Sequence, residues 1–184
     1  MIRQLKGIVS DYGPQSVLVE VSGIGYIVFV TNKTKIDLPY DTECKIYTHL
    51  SVKEDALDLY GFSEKEDLSM FEMLLSVSGI GPKSALTVLD QADRETLSQA
   101  IIRNDSSYLT KLSGIGKKTA ERIVYELKDK VIGLETTNGG NDDLLDALIA
   151  LGFKEQSIRS ILKDIDKNDP TEIQIKKALQ ILAK

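Results

Sequence analysis

The chain has very few of the side chains on which disulfides, metal sites and acid–base catalysis depend. Its 184 residues include one cysteine, one histidine and no tryptophan. A single cysteine, Cys44, excludes an intramolecular disulfide and a multi-cysteine zinc site. His49 alone leaves little for proton transfer or metal binding. We therefore expect no cofactor and no metal site.

Long apolar runs are also missing. Nothing in the sequence approaches 18 consecutive apolar residues, and residues 1–6, MIRQLK, have no signal-peptide core. Hydrophobic residues make up 42 % of the chain and charged residues 28 %, which is ordinary for a globular protein. The sequence therefore predicts a cytoplasmic protein without a membrane partner, built from one compact domain or two to three small ones.

The net charge of −5 argues against a protein that coats duplex DNA, since that class carries a high pI. The charge is unevenly distributed, however. Residues 1–64 carry 6 Lys and Arg against 9 Asp and Glu, residues 65–134 carry 10 against 10, and residues 135–184 carry 7 against 9. The basic residues of the middle segment bunch at Lys111, Lys117, Lys118 and Arg122. A local basic patch in an acidic molecule predicts weak, salt-sensitive binding to plain duplex.

A twelve-residue repeat lies in this middle segment. Residues 74–85 are LLSVSGIGPKSA and residues 109–120 are LTKLSGIGKKTA, with seven of the twelve aligned positions identical. Each copy is typical of an apolar helix, a tight Gly-Ile-Gly turn and a second helix that opens with a lysine and a hydroxyl. We expect the isoleucine of each turn to be buried and the glycines to leave backbone amides uncovered.

Such a turn favours an anion, because the first N–H groups of the following helix have no partner and its dipole is positive there. The duplicated pattern resembles the helix-hairpin-helix phosphate-binding motif. Neither copy completes a dinucleotide or P-loop fingerprint. An alternative is that both turns only connect helices. The predicted DNA-binding residues are Gly79, Gly81, Lys83, Ser84, Gly114, Gly116, Lys117, Lys118, Thr119 and Arg122.

The hydrophobic period divides the chain into four segments, so the predicted fold class is a multidomain α+β protein. Residues 1–62 alternate as five or so short strands and predict a small closed, OB-like barrel. Residues 63–134 have helical period, with Ser63 and Glu66 as a predicted capping box, and form the tandem hairpin domain. Residues 135–141 have linker composition, and residues 142–184 predict a three-helix, ubiquitin-associated-like domain.

Two acidic residues, Glu54 and Asp55, fall at the predicted tip of the last barrel hairpin. By themselves they indicate a solvated turn, and a metal-binding or catalytic carboxylate pair is the alternative. Neighbours on one turn supply few converging ligands, so the sequence favours the turn.

The order of these segments, with residues 49–62, HLSVKEDALDLYGF, leading into the helices, resembles the RuvA family, the Holliday-junction-binding subunits of a branch-migration complex. The resemblance covers the whole chain, and the Gly-Asn-rich linker is shorter than in the family. It implies a non-catalytic homotetramer that holds a four-way DNA junction open, and it leaves open whether one tetramer or two clasp the DNA. Glu54 and Asp55 match the family's acidic pin.

The resemblance also implies partner proteins. The C-terminal segment corresponds to the module that docks the RuvB ATPase, so ATP hydrolysis would belong to that partner, and a RuvC-type junction resolvase is expected in the same complex. A domain of about 40 residues cannot bury all of its Leu and Ile, which favours a partner surface there. The candidate contacts are Leu148, Leu151 and Leu179.

Two other function classes stay open from the residues alone. A structure-specific repair nuclease could grip DNA with the same hairpins, but it would need a metal-binding acid cluster that the sequence does not offer. A protein-interaction scaffold would use both Gly-Ile-Gly turns structurally, and salt-dependent DNA binding would exclude it.

Overall fold

The computed structural model describes residues 1–137, 144, 148–151, 153, 157, 158, 161, 165 and 171–182. The chain forms two compact units, Met1–Lys128 and Asp129–Lys184, which we describe in turn. Among the described residues, no helix is both long and apolar enough to cross a membrane.

Five strands at the start of the chain close into a small barrel, which confirms the predicted architecture. They are β1 (Gln4–Gly13), β2 (Ser16–Val21), β3 (Ile24–Val30), β4 (Glu43–Val52) and β5 (Leu57–Phe62). The order around the barrel is β1-β2-β3-β5-β4, in which β3 and β5 are parallel and the other pairs are antiparallel. Closure gives each strand a partner on both sides. Inward-facing residues fill the barrel: Leu5, Val9, Val17, Val19, Val28, Val30, Ile46 and Leu59.

Residues 1–137 also contain six helices. They are α1 (Asn32–Asp37), α2 (Lys65–Ser76), α3 (Pro82–Gln91), α4 (Arg94–Ile102), α5 (Ser106–Leu109) and α6 (Lys117–Thr137). Asp93 caps α4, because its carboxylate accepts the Thr96 N–H at 2.7 Å. This hydrogen bond, with one from the Thr96 hydroxyl, holds the pKa of Asp93 below its ordinary value.

The first helix of the hairpin domain packs directly on the barrel. Phe71 of α2 is fully buried, and its ring centroid lies 5.4 Å from that of Tyr60 and 5.1 Å from that of Phe62. Beside these rings, Nη1 and Nη2 of Arg3 both donate to the Glu72 carboxylate, and His49 Nδ1 lies 3.0 Å from the same group. The hydrogen bond from Arg3 is the main reason why the pKa of Glu72 is lowered.

The sequence does not predict helix α1, and it predicts a cap at the start of α2 that does not form; both differences involve the segment of α1. Helix α1 has no periodic signal, yet it forms because the Thr31 hydroxyl accepts the Thr34 N–H at 3.1 Å. The Ser63 hydroxyl then donates to Asp37 at the end of α1, at 2.8 Å. Helix α2 begins after Glu64 without a side-chain cap, so the predicted Ser63 and Glu66 capping box is wrong.

The helix that opens after the second turn is longer than its sequence pattern indicates. The helical signal weakens at Gly133, but α6 continues to Thr137. The first three residues of the predicted 135–141 linker are therefore helical, and the other four lie outside the described residues. The proposed domain boundaries at 62, 134 and 141 stay predictions.

The C-terminal unit has its own apolar core. Its buried residues are Leu144, Leu148, Ile158, Ile161, Ile165 and Ala178. Helix α7 (Thr171–Leu182) is the last described element and matches the third predicted helix. The first two predicted helices of this domain lie largely outside the described residues.

Candidate nucleic-acid interface

The first Gly-Ile-Gly turn joins α2 to α3. Gly79 has φ +94°, a conformation that side chains resist, whereas Gly81 is extended and precedes the first residue of α3. Ile80 is buried and donates its N–H to the Val77 carbonyl at 3.1 Å. A Cβ placed on either glycine would meet no atom within 4 Å, so the space in front of this turn is open.

The second turn repeats this geometry 35 residues later. Gly114 has φ +84°, and buried Ile115 donates its N–H to the Leu112 carbonyl at 3.3 Å. Each following helix starts with the same bond: Ala85 donates to Gly81 and Ala120 to Gly116, both at 2.9 Å. The sequence repeat is therefore a structural repeat, with the isoleucines buried as predicted.

The two turns lie beside each other within the first unit. A Cβ on Gly114 would lie 3.9 Å from the hydroxyl oxygen of Ser84, which belongs to the first copy. Arg122 of α6 donates from Nη1 to the carbonyl oxygen of Ser78 at 2.8 Å. Gln91 at the end of α3 accepts the Ser113 N–H at 2.8 Å. These contacts hold the turn before α3 close to the turn before α6.

The predicted cations around the turns differ in what they contact. Lys83, Lys117 and Lys118 are exposed, and none of them makes an ion pair within the described part of the chain. The Arg122 guanidinium instead braces the first turn through Ser78, and its Nε lies 3.8 Å from Glu126. Ser84 and Thr119, the hydroxyls that follow the lysines, are half-buried. The lysines thus provide charge that an anion can use, whereas Arg122 also has a structural role.

The acidic pair occupies the tip of the β4–β5 hairpin. Glu54 and Asp55 are exposed, and below them the Lys53 N–H donates to the Ala56 carbonyl at 2.9 Å. Val52 and Leu57 pair across the strands just behind the tip. Among the described residues, no three His, Cys, Asp or Glu side chains cluster as metal ligands would.

The three candidate partner-binding leucines are not equivalent. Leu148 is fully buried in the C-terminal core, and its role in a partner contact stays a prediction. Leu179 is partly buried against the same core. Leu151 is 59 % exposed and stays a candidate, and Ile149 at 43 % is a neighbour that the sequence interpretation missed.

The chain was also compared with known proteins. Three family descriptions match it in order: RuvA N terminal domain over residues 1–61, SAM-like Helix-hairpin-helix tandem over 71–129, and RuvA, C-terminal domain over 140–183. The chain belongs to the RuvA family.

Individual RuvA relatives match along the full chain. Proteins named Holliday junction branch migration complex subunit RuvA are 42 % identical in Caldanaerobacter subterraneus subsp. tengcongensis, over 100 % of both chains, and 43 % identical in Clostridium beijerinckii, over 96 % of this chain and 94 % of the relative. The relative of that name in Limosilactobacillus reuteri is 37 % identical over 99 % of this chain and 100 % of its own. The resemblance to the RuvA family noted from residues 49–62 and the paired hairpins is thus confirmed.

Proposed function

We propose that this chain binds four-way DNA junctions as the non-catalytic, DNA-binding subunit of a branch-migration complex, acting in recombination and repair. Membership in the RuvA family supports this function. The observation that carries it is the adjacent pair of hairpin turns, each with open space before its second glycine and an exposed lysine at the start of the next helix.

The phosphate contacts follow from this geometry. Uncovered amides at the start of α3 and α6, with the hydroxyls of Ser84 and Thr119, supply neutral donors, and Lys83, Lys117 and Lys118 supply positive charge. These groups bind the backbone and carry no sequence information, which suits a protein that recognises the shape of a junction. Arg122 supports the first turn and adds a cation beside it.

Glu54 and Asp55 act as a repulsive pin in this proposal. Their exposed carboxylates at a hairpin tip disfavour phosphates, so a junction that separates its strands around the pin is preferred over a continuous duplex. If four subunits assemble around the junction, eight such carboxylates surround its centre. The homotetramer, and a second tetramer on the opposite face, belong to this proposal and are tested by the mass of the DNA complex.

The C-terminal unit is proposed to dock the RuvB ATPase, with a RuvC-type resolvase in the same cytoplasmic complex. Exposed Leu151 offers an apolar side chain for such a contact, and Leu179 lies at the edge of the core. Deleting residues 142–184 should spare junction binding and abolish stimulation of the ATPase. A truncated chain that still drives branch migration would contradict the docking role.

The decisive experiment compares binding to a synthetic four-way junction and to a linear duplex of matched sequence, at fixed salt. We expect a junction preference of at least about tenfold, or about 1.4 kcal/mol. Lys83→Ala with Lys118→Ala should weaken junction binding, whereas Glu54→Gln with Asp55→Asn should keep affinity and reduce the preference. Glu20→Gln with Glu64→Gln is the charge-matched control. Equal, weak binding to both DNAs would contradict the proposal.

A further inference from the structure

Helix α1 connects the barrel segment to the first hairpin through two neighbouring residues. Asp90, near the end of α3, accepts the Asn32 backbone N–H at 2.5 Å and the Asn32 side-chain Nδ2 at 2.8 Å. Lys33 Nζ lies 3.4 Å from Oδ2 of Asp67, near the start of α2. Because α2 precedes the first Gly-Ile-Gly turn and α3 follows it, α1 holds both helices at the ends that are opposite to the turn.

The two bonds to Asp90 are the polar attachment of α3 to the barrel segment. Within the described part of the chain, no other hydrogen bond or ion pair joins α3 to residues 1–62. One carboxylate oxygen binds each donor, and hydrogen bonds to an ionised acceptor are stronger than neutral ones, so the contact fixes both distance and direction. The opposite end of α3 begins at the open glycines of the first turn.

The repeat shows that this contact is not part of the hairpin motif itself. With the offset of 35, Asp90 aligns with Tyr125 of α6. The Tyr125 side chain is 89 % exposed, although the second turn and its following helix have the same geometry as the first. The motif therefore forms without an acid at this position. The acid in the first copy serves the attachment to α1.

Such an attachment at the base of α3 controls where the first turn lies relative to the acidic pin. Helix α3 has 10 residues. Its length is therefore about 15 Å, and a tilt of roughly 10° at its base would move the turn by roughly 2–3 Å. The pin is fixed to the barrel by the β4–β5 ladder, which runs from Tyr47 and Phe62 to Val52 and Leu57. A junction has to meet the turn and the pin together, whereas a duplex can lie on the turns alone.

We infer that Asp90, acting through Asn32, is a positioning residue that determines the preference for a junction over a duplex. The inference rests on the proposed junction binding, and it adds a specificity role for a residue that does not contact DNA. The carboxylate of Asp90 is occupied by Asn32 and would repel a phosphate, so its effect on DNA is indirect. Loss of the contact therefore lowers the junction preference and leaves the affinity for duplex nearly unchanged.

The test measures binding of the full chain to a four-way junction and to a linear duplex of matched sequence, at fixed salt. Asp90→Ala should lower the preference by roughly three- to tenfold, as the loss of these hydrogen bonds predicts, and should change duplex affinity by less than about twofold. Asp90→Asn removes the same charge but keeps one acceptor oxygen, so it should retain more of the preference. The control is Asp11→Ala, which removes an exposed carboxylate that accepts the N–H of the next residue, Tyr12, and should leave the preference unchanged.

A double variant tests whether the two residues act as a pair. Asn32→Ala in the Asp90→Ala background should cause no further loss of preference, because the partner is already absent. A further loss would overturn the inference, as would equal weakening on both DNAs or equal effects of Asp90→Ala and Asp90→Asn. If the unaltered chain shows no junction preference, the proposed function itself fails. A preference that Asp90→Ala leaves intact overturns only the positioning role.

Discussion

The two hairpin copies have the same turn but different surroundings. In the first copy, α2 has 12 residues, and it inserts Phe71 among the barrel aromatics. In the second copy, the equivalent helix α5 has only 4 residues, with Ser106 half-buried and Ser107 exposed. The repeated motif forms a turn that can hold a phosphate. The residues one or two helical turns before it decide whether that copy also packs against the barrel.

Cross-contacts between the copies explain why both turns are needed. The first turn is braced by Arg122 from the second copy, and the second turn is braced by Gln91 from the first. Each copy therefore supplies part of the other's support. The comparison predicts that equivalent substitutions will have unequal effects on stability where the surroundings differ, and equal effects where the turn itself is changed.

The largest difference should come from the aligned positions Phe71 and Ser106. Phe71→Ala removes a fully buried ring from the contact with the barrel and should lower the free energy of unfolding by about 3–5 kcal/mol. Ser106→Ala removes a half-buried hydroxyl that has no hydrogen-bond partner among the described residues, and it should change stability by less than about 0.5 kcal/mol. Urea unfolding followed by circular dichroism measures both, and similar midpoints would contradict the division of roles.

The turns themselves should respond alike. Gly79→Ala and Gly114→Ala each force a side chain to adopt a φ of +94° or +84°, at a cost of about 1–2 kcal/mol. The two losses should agree within about 0.5 kcal/mol, because a Cβ at Gly79 meets no atom within 4 Å and one at Gly114 makes only an ordinary contact with the Ser84 hydroxyl oxygen at 3.9 Å, so the backbone term dominates at both. Thermal unfolding of the two variants is the measurement. A large loss at one glycine alone would mean that the copies are not structurally equivalent.

These contrasts also show which features of the fold could be predicted from the sequence. The bounds of β4 and β5 follow from clear alternation around a polar tip, and the buried isoleucines follow from the repeat. Helix α1 could not be found by periodicity, since it depends on a local cap at Thr31. Because the sequence does not predict α1, Ser63 was assigned to a cap on α2, whereas its hydroxyl donates to Asp37 of α1. The bond from Arg122 to Ser78 joins residues 44 positions apart, which no local pattern specifies.

The lysines and glycines of the candidate site could be predicted from the repeated motif alone. The burial of Leu148 could not be predicted, because an apolar residue in a short helix can face the core or a partner, and only the packing decides between them. Ser106 and Ser107 lay within reach of the sequence: extending the repeat alignment upstream places hydroxyls opposite Phe71 and Glu72.

The barrel contact of the first copy should weaken in acid. Arg3 and His49 hold the Glu72 carboxylate, so its pKa in the folded chain lies below the ordinary value of 4.5. The stabilisation is therefore present above about pH 4.5 and is lost as the pH falls through the lower, folded value. Glu72→Gln should cost about 1 kcal/mol or less near pH 7, since both partners are partly exposed to solvent, and should flatten this part of the acid limb.

Urea unfolding at pH 7 and at pH 3.5 measures the effect, with Glu64→Gln, at the exposed residue just before α2, as the control. The difference in stability between the unaltered chain and Glu72→Gln should shrink at the lower pH. A difference that is constant with pH would show that the Glu72 carboxylate contributes by packing alone.

The smallest effect on stability, and the one that separates folding from binding, is expected at the second glycine of each turn. Gly81 is extended, and neither it nor Gly116 has a positive φ. A methyl group on either meets open space, so the lower entropy of the unfolded chain offsets the poorer helix cap, and Gly81→Ala or Gly116→Ala should change stability by less than about 0.5 kcal/mol. The same methyl group occupies the space through which a phosphate reaches the amides. Junction binding should therefore weaken in both variants, whereas normal binding by both would place the DNA elsewhere on the molecule.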